Sequence, residues 1–467
     1  MKRIALLSLP YLPDYMRNAR CDFVSLSHTQ WYPIWLGFLG AFLEKHHYKI
    51  KLVDAPAANL NFNNVLDILD KFRPEFLVTY TGRLSESTDI RLTEKLMLRY
   101  GVESVLVGPY FSIDPLKTIS KSNIIKFGIS GEFEYPVKEL LEGKKVKEIK
   151  NLVYRVKNDT KIKINASRPY LKTRQLDALP FVTDFFSRHL NIKNYKTPSE
   201  FYPFIDTMTG RGCVWGKCSY CLWVQTFIKG SVYNTRSIGN VTDELKFIQN
   251  NLPDIKSVMI QDDTLPEGRA QELSEAILKK RISLRWSCYA RANLSLGTLK
   301  LMKKAGCLNL HVGYESADNK ILKNIKKGLS KERMDEFTRT AHQAGVGIHA
   351  DFAFGFPGEN KQSMEKTIAW AKELKPDTAQ FQLMIPFKKT KFYDELIKKG
   401  NLKNGEPDFP KLSAKEIRAG ARQAYRRFYF SWHYFKRILK NPYQHFILRL
   451  DTYKKAIPAL FWLKWIK

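Results

Sequence analysis

The sequence predicts an α/β protein of two successive parallel-sheet domains: an open sheet, then a six-unit partial barrel, closed by a helical C-terminal region. Three observations carry this. Short apolar runs alternate with helical patterns in two series, over residues 1–145 and 201–400. The second series repeats at roughly 30 residues, the length of a βαβ unit. In the last region, 401–467, the composition changes: residues 421–467 hold eleven Lys and Arg against the single acid Asp451, with thirteen aromatics among them. A chain of 467 residues has the length for several cores, and 44% hydrophobic residues is a globular composition.

In the first series the expected strands are Arg3–Leu9, Lys49–Val53, Phe76–Tyr80, Ser104–Val107 and Ile124–Ile129, with helices such as Asn64–Phe72 and Asp89–Tyr100 between them. The opening run Met1–Leu9 reads as a strand rather than a signal peptide, because Pro10 and Pro13 stand where a longer apolar stretch should be. No apolar run reaches the ~18 residues of a membrane span, so a cytoplasmic protein is expected. A flavodoxin-like open sheet binds ligands at the carboxyl ends of its strands. Those ends are Pro10-Tyr11, Asp54-Ala55-Pro56, Thr81-Gly82-Arg83, Gly108-Pro109-Tyr110 and Gly131-Glu132. None is a dinucleotide or Walker loop. Residues 146–200 read as a connector containing a hairpin, Asn151–Val156 with Lys161–Ile164.

The second series gives strands Tyr202–Met208, Ser257–Gln261, Leu284–Tyr289, Leu308–Gly313, Gly347–Phe354 and Ala379–Met384, a partial (β/α)6 barrel. Directly after its first strand comes Thr209-Gly-Arg-Gly-Cys-Val-Trp-Gly-Lys-Cys-Ser-Tyr-Cys-Leu-Trp223, with Cys213, Cys218 and Cys221 within nine residues. Three thiolates on one short loop can hold three irons of a 4Fe–4S cube and leave the fourth open to a small molecule. Structural zinc takes four ligands in spaced pairs, and no second Cys pair exists. Disulfides do not suit a large chain without a secretion signal. Cys288 and Cys307 stand alone and read as small buried hydrophobes.

The cysteine loop resembles the signature of the radical S-adenosylmethionine (SAM) superfamily, in which an aromatic, here Tyr220, precedes the last cysteine. One departure stands out: four residues separate Cys213 from Cys218 where the family has three. Gly216 is the residue able to take up the extra length, since glycine tolerates unusual backbone angles. The resemblance implies a 4Fe–4S cluster on Cys213, Cys218 and Cys221, and SAM contacts at Tyr220, Asp262, Asp263, Arg291, Glu315, Ser316, Gly355 and Gly358. Ahead of such a core, Val53-Asp-Ala-Pro56, Val107-Gly-Pro-Tyr110 and Gly131-Glu-Phe-Glu-Tyr135 resemble the cobalamin-binding domain of the B12-binding radical SAM enzymes. The implied cobalamin contacts are Asp54, Pro56, Thr81, Gly108, Tyr110, Gly131 and Glu132. The family's D-x-H-x-x-G cobalt-ligand motif is absent, with Pro56 where the histidine would be, which implies a cobalt without a protein imidazole.

Phe201–Trp223 and Thr235-Arg236-Ser237 look most like the branch holding the hopanoid-biosynthesis enzyme and the anaerobic Mg-protoporphyrin ester cyclase. That likeness implies a 5′-deoxyadenosyl radical used for cobalamin-dependent C-methylation of a hydrophobic or lipid-linked substrate, with a flavodoxin- or ferredoxin-type electron donor. The alternatives are a radical cyclase or ring-rearranging enzyme, or an RNA-modifying enzyme. The net charge of +31 calls for an anionic partner or reflects composition alone. The basic aromatic tail suits peripheral contact with an anionic membrane, a helix closing the barrel, or nucleic acid. No recognised RNA-binding module is visible, so nucleic acid is the least favoured.

Overall fold

The computed structural model describes residues 1–17, 22–25, 28–156 and 161–440. Five strands of the first domain, β1 Arg3–Ser8, β2 Lys49–Asp54, β3 Phe76–Tyr80, β4 Glu103–Val107 and β5 Phe127–Ile129, pair parallel in the order β2-β1-β3-β4-β5. This is the flavodoxin-type doubly wound order. Helices cover both sides, so β3 (Phe-Leu-Val-Thr-Tyr) is buried along its whole length and reads as an unbroken apolar run. β5 is shorter than expected. The Ser122 hydroxyl accepts from the backbone N–H groups of Ile124 (3.2 Å) and Ile125 (2.9 Å), a turn that holds both out of the ladder.

The segment expected to be a connector is built into this domain. β6 Leu152–Arg155 and β7 Ile162–Ile164 continue the sheet antiparallel from β5. Helix α1, Ile34–Lys45, buries its residues 34–43, because α2, Val182–His189, packs on the side turned from the sheet. Gly37 and Gly40 make that approach possible: a methyl group at either would overlap the Phe186 or Phe185 ring.

The second domain is a curled sheet of six parallel strands: β8 Phe204–Thr207, β11 Ser257–Ile260, β12 Trp286–Ala290, β13 Cys307–Glu315, β14 Gly347–Phe354 and β15 Thr378–Leu383, paired in chain order. Between β8 and β11 a separate ribbon, β9 Gly210–Cys213 with β10 Val232–Thr235, frames the cysteine loop. Helix α3, Ala414–Tyr429, closes the outside of β15. It buries Ile417, Ala421, Ala424 and Phe428, and the Tyr429 hydroxyl donates to the Ala379 carbonyl at 2.7 Å.

Much of the aromatic character at the start of the tail is therefore core packing: Phe381 meets Tyr425 and Phe428, and Tyr434 stacks edge-on against Tyr429. α4, Trp432–Lys440, leaves Trp432, Phe435 and Leu439 exposed. The stretch Leu460–Lys467, on which the membrane expectation partly rested, lies outside the described residues. Among the described residues no helix is long and apolar enough to cross a membrane.

Candidate functional site

The cysteine loop sits at the C-terminal end of β8, on the rim where barrel strands deliver functional groups. Gly212 (φ +94°) and Gly216 (φ +57°) both take left-handed backbone. A Cβ at Gly216 would lie against the Ser231 nitrogen and 2.5 Å from the Gly230 carbonyl carbon. The extra residue of the C-x4-C spacing thus falls in a tight crossing that only glycine permits. Three contacts strap the loop to its surroundings: Trp215 Nε1 donates to the Lys326 carbonyl (2.9 Å), Ser219 N to the Ile325 carbonyl (3.0 Å) and Phe392 N to the Ser219 carbonyl (3.0 Å). Gln225 Nε2 donates to the carbonyls of Cys218 (3.2 Å), Ser219 (2.8 Å) and Cys221 (3.1 Å). One amide thus gathers the loop's own backbone, a role nothing in the sequence pattern signalled.

All three thiols are free. Burial pushes Cys218 up and Cys221 up to about 12, while Lys327 and Arg291 oppose the rise at Cys218. Metal coordination removes such protons outright. Among the described residues no three Cys, His, Asp or Glu side chains converge on a single-ion site. Thiolates that each hold a separate corner of a cube need not converge. The donor set fits a cluster: three unpaired thiols on one strapped loop, beside two cations that offset its negative charge.

Around the loop, Tyr220 OH donates to Glu315 Oε1 (2.8 Å), the oxygen that also takes Lys327 Nζ (2.9 Å). Glu315 has φ +62°, an uncommon angle for a non-glycine residue, and Gly313 leaves the space its carboxylate occupies. Arg291 lies 4.7 Å over the Trp215 ring and donates to the Lys327 carbonyl at 2.6 Å. Lys327 was not anticipated, although it joins Glu315, Tyr220 and the loop.

The other SAM-side candidates lie on the same rim with their groups engaged internally. Asp262 accepts from Thr209 N (2.7 Å), Thr209 OH (2.5 Å), Gly210 N (3.0 Å) and Tyr233 OH (2.7 Å), which fixes the turn into β9. Asp263 Oδ2 accepts from Gly212 N at 2.9 Å. Ser316 is buried, with its hydroxyl 3.4 Å from that of Thr367. Gly355 (φ +103°) and Gly358 (φ +89°) form the turn after β14, where Glu359 accepts from the Gly355 N–H. Burial lifts the Glu359 carboxyl to about 8.

The cobalamin-side candidates gather at the C-terminal ends of β2 to β5. Asp54 is buried, accepts from Tyr195 OH at 3.0 Å, and is lifted by burial to about 6 against Arg17, Ser8 and Tyr195, which lower it. The Thr81 hydroxyl donates to the Val107 carbonyl (3.3 Å). Gly108 (φ +118°) and Gly131 (φ +97°) turn the chain after β4 and β5, and Ser112 OH accepts from Gly131 N (2.8 Å). Pro56 and Tyr110 remain half-exposed. Over the ends of β1 and β3 the Tyr15–Arg17 strand packs down: Arg17 reaches Ser8 OH (2.8 Å), the Leu9 carbonyl (3.0 Å), Ser85 OH (2.8 Å) and Asp89 (2.5 Å). The loops bearing Pro56, Gly108–Tyr110 and Gly131 would be the ones to hold cobalamin, beside that cover.

Glu132 serves a different end. Arg211, two residues before Cys213, forms buried ion pairs with Glu132 (2.7 Å) and Glu134 (2.6 Å), and its guanidinium lies 4.7 Å over the Trp35 ring. Glu132 also accepts from Leu171 N (2.8 Å). One side chain thus ties the end of β5 to the strand that carries the first cysteine.

Comparison with known proteins agrees with this arrangement. A model of the radical SAM superfamily matches residues 207–371. An uncharacterised methyltransferase of Pyrococcus horikoshii, PH0819, is 29% identical over 374 residues, 78% of each chain. The anaerobic magnesium-protoporphyrin IX monomethyl ester cyclase of Rubrivivax gelatinosus is 24% identical over 40% of this chain and 34% of its own. The radical SAM methyltransferase TsrM of Kitasatospora setae, solved with cobalamin and a 4Fe–4S cluster, superposes with a TM-score of 0.66 at 18% identity, covering 87% of this chain and 80% of TsrM. With its three-cysteine loop on the rim of a six-stranded half barrel, the chain carries a segment, residues 207–371, that matches the radical SAM superfamily.

Proposed function

We propose that the chain is a cobalamin-dependent radical SAM C-methyltransferase. The observation that carries this reading is the Arg211 clasp: it holds the C-terminal end of the flavodoxin-type sheet within one side chain of the cysteine strand. A cofactor on the first domain and SAM on the second would then meet at one junction. The relatives support the chemistry, since PH0819 and TsrM are both named methyltransferases.

When bound, the cluster, SAM and cobalamin supply the electron, the hydrogen-abstracting radical and the methyl group. The chain's own residues hold and orient these reactants. Cys213, Cys218 and Cys221 hold the cluster, with Gln225 fixing their backbone and Lys327 and Arg291 offsetting its charge. Tyr220 and Glu315, locked together, border the place of SAM beside the loop. Arg211 fixes the spacing between the two domains, and Trp35, packed against Phe133, Trp223 and Phe227, keeps the junction dry. The basic surface suits an acidic flavodoxin- or ferredoxin-type electron donor.

Anaerobically reconstituted protein titrated with hydroxocobalamin tests the reading. Saturation at one cobalamin per chain is expected. After reduction to Co(II), the EPR spectrum should lack nitrogen superhyperfine splitting from a protein imidazole, as Pro56 requires. No retained cobalamin would overturn the assignment.

A further inference from the structure

The register of the half barrel places a polar wall on its inner side. Tyr289 pairs with His311, His311 with His349, and Asp351 with Gln380. The Tyr289 and His311 rings lie 4.9 Å apart and those of His311 and His349 4.5 Å apart. Each histidine has a carboxylate beside it, Glu200 at 3.8 Å from His311 and Asp351 at 3.5 Å from His349. His349 also meets the Thr378 hydroxyl at 2.6 Å. The His349 and Asp351 side chains keep 12% and 19% exposure, so that end of the wall reaches solvent, whereas His311 is buried with the Trp31 ring 6.1 Å away.

Below it, Asn309 lies on the same side of β13 as His311. It is 95% buried, and among the described residues neither its amide nitrogen nor its amide oxygen has a hydrogen-bond partner. His311 stands four residues down the strand from Glu315, about 13 Å at the usual rise.

Covering such a wall with an acyl chain would strip water from groups that need hydrogen bonds and leave them unsatisfied. Glu200, Asp206 and Asp351 put carboxylates on or beside this face, and none of its six strands carries Lys or Arg there below Arg291. Phosphate groups are disfavoured by the same charges. We propose that His349 and Asp351, with Tyr289 and His311 behind them, bind the methyl acceptor, and that it is a small polar molecule presenting hydroxyl or ammonium donors. This departs from the hydrophobic substrate that the resemblance implied. The acceptor role rests on the methyltransferase reading; the binding site does not.

The test uses holoenzyme reconstituted with iron, sulfide, hydroxocobalamin and SAM bearing a deuterated methyl group. The probes are the chloroform-soluble half of a cell extract and the aqueous half, the latter divided on cation and anion exchangers. The neutral or cation-exchange-retained aqueous fraction should raise the melting temperature and yield a product carrying the deuterated methyl. Asp351→Asn and the milder Gln380→Leu, each confirmed to hold wild-type iron, should reduce the melting shift at least threefold. Stabilisation by the chloroform or anion-retained fraction alone would overturn the proposal, as would variants stabilised as strongly as the wild type. A melting shift without labelled product would leave the site standing and refute the methyltransferase reading instead.

Discussion

Arg211→Met puts the link between the two domains to the test. In the native chain three ions are buried together, with N–O distances of 2.7 and 2.6 Å. At an effective dielectric of about 20, each contact is worth about 6 kcal/mol of attraction. Desolvation of three ions at several kcal/mol each offsets most of that sum. The net pair is therefore worth little, but its disruption is costly: methionine fills the space against Trp35 and Phe38 yet leaves two carboxylates buried without their cation. A loss of about 3–5 kcal/mol follows, or a factor of about 10² to 5 × 10³ in the folding equilibrium. Adding Glu132→Gln and Glu134→Gln to Arg211→Met should recover most of it, because neutral amides bear burial far better than unpaired carboxylates. Urea denaturation of the full chain, followed by tryptophan fluorescence and by iron content, is the assay. Were Arg211→Met to unfold within about 1 kcal/mol of wild type, or the triple variant to be weaker than the single one, the clasp would not be what joins the domains.

Three further outcomes are expected. Gly216→Ala drives a methyl group into the backbone of Gly230 and Ser231 and should lower cluster loading severalfold, read as iron and sulfide per chain; full loading would show that the loop has another path. Gln225→Leu leaves three loop carbonyls without their shared donor and should cost about 2 kcal/mol and accelerate cluster loss in air, with equal decay rates counting against it. Glu359, held at about 8 by burial, keeps its proton when folded at pH values where the unfolded chain has lost it. Its contribution therefore weakens stability as pH rises from about 4.5 to 8; Glu359→Gln should flatten that fall in melting temperature, and parallel pH profiles would refute it.

Strand positions were legible in the sequence wherever burial on both sides produced an unbroken apolar run. Phe76–Tyr80 and Gly347–Phe354 occupy their expected bounds. Ile124 and Ile125 carry the same apolar signal but are withheld from the ladder by one serine hydroxyl, a local hydrogen bond that composition does not reveal. The cysteine loop was legible because its chemistry is compressed into nine residues. Its supports were not: Arg211 finds Glu132 and Glu134 across 79 and 77 positions, and Lys327 reaches Glu315 only because a loop folds back over Gly313. Asp262 stood out as an acid at a strand end, yet its four donors make it a brace for the turn into β9. The inner wall of the half barrel is written as alternation, His311-x-Gly313-x-Glu315 and His349-x-Asp351, and becomes a surface only once the register sets the strands side by side.

The most direct measurement is the fate of SAM in an anaerobic incubation of reconstituted protein with reductant, with and without hydroxocobalamin, and with the products resolved by mass spectrometry. A cobalamin-dependent radical methyltransferase should form S-adenosylhomocysteine that requires cobalamin, together with 5′-deoxyadenosine. 5′-Deoxyadenosine alone, in the same amount with or without cobalamin, would contradict it.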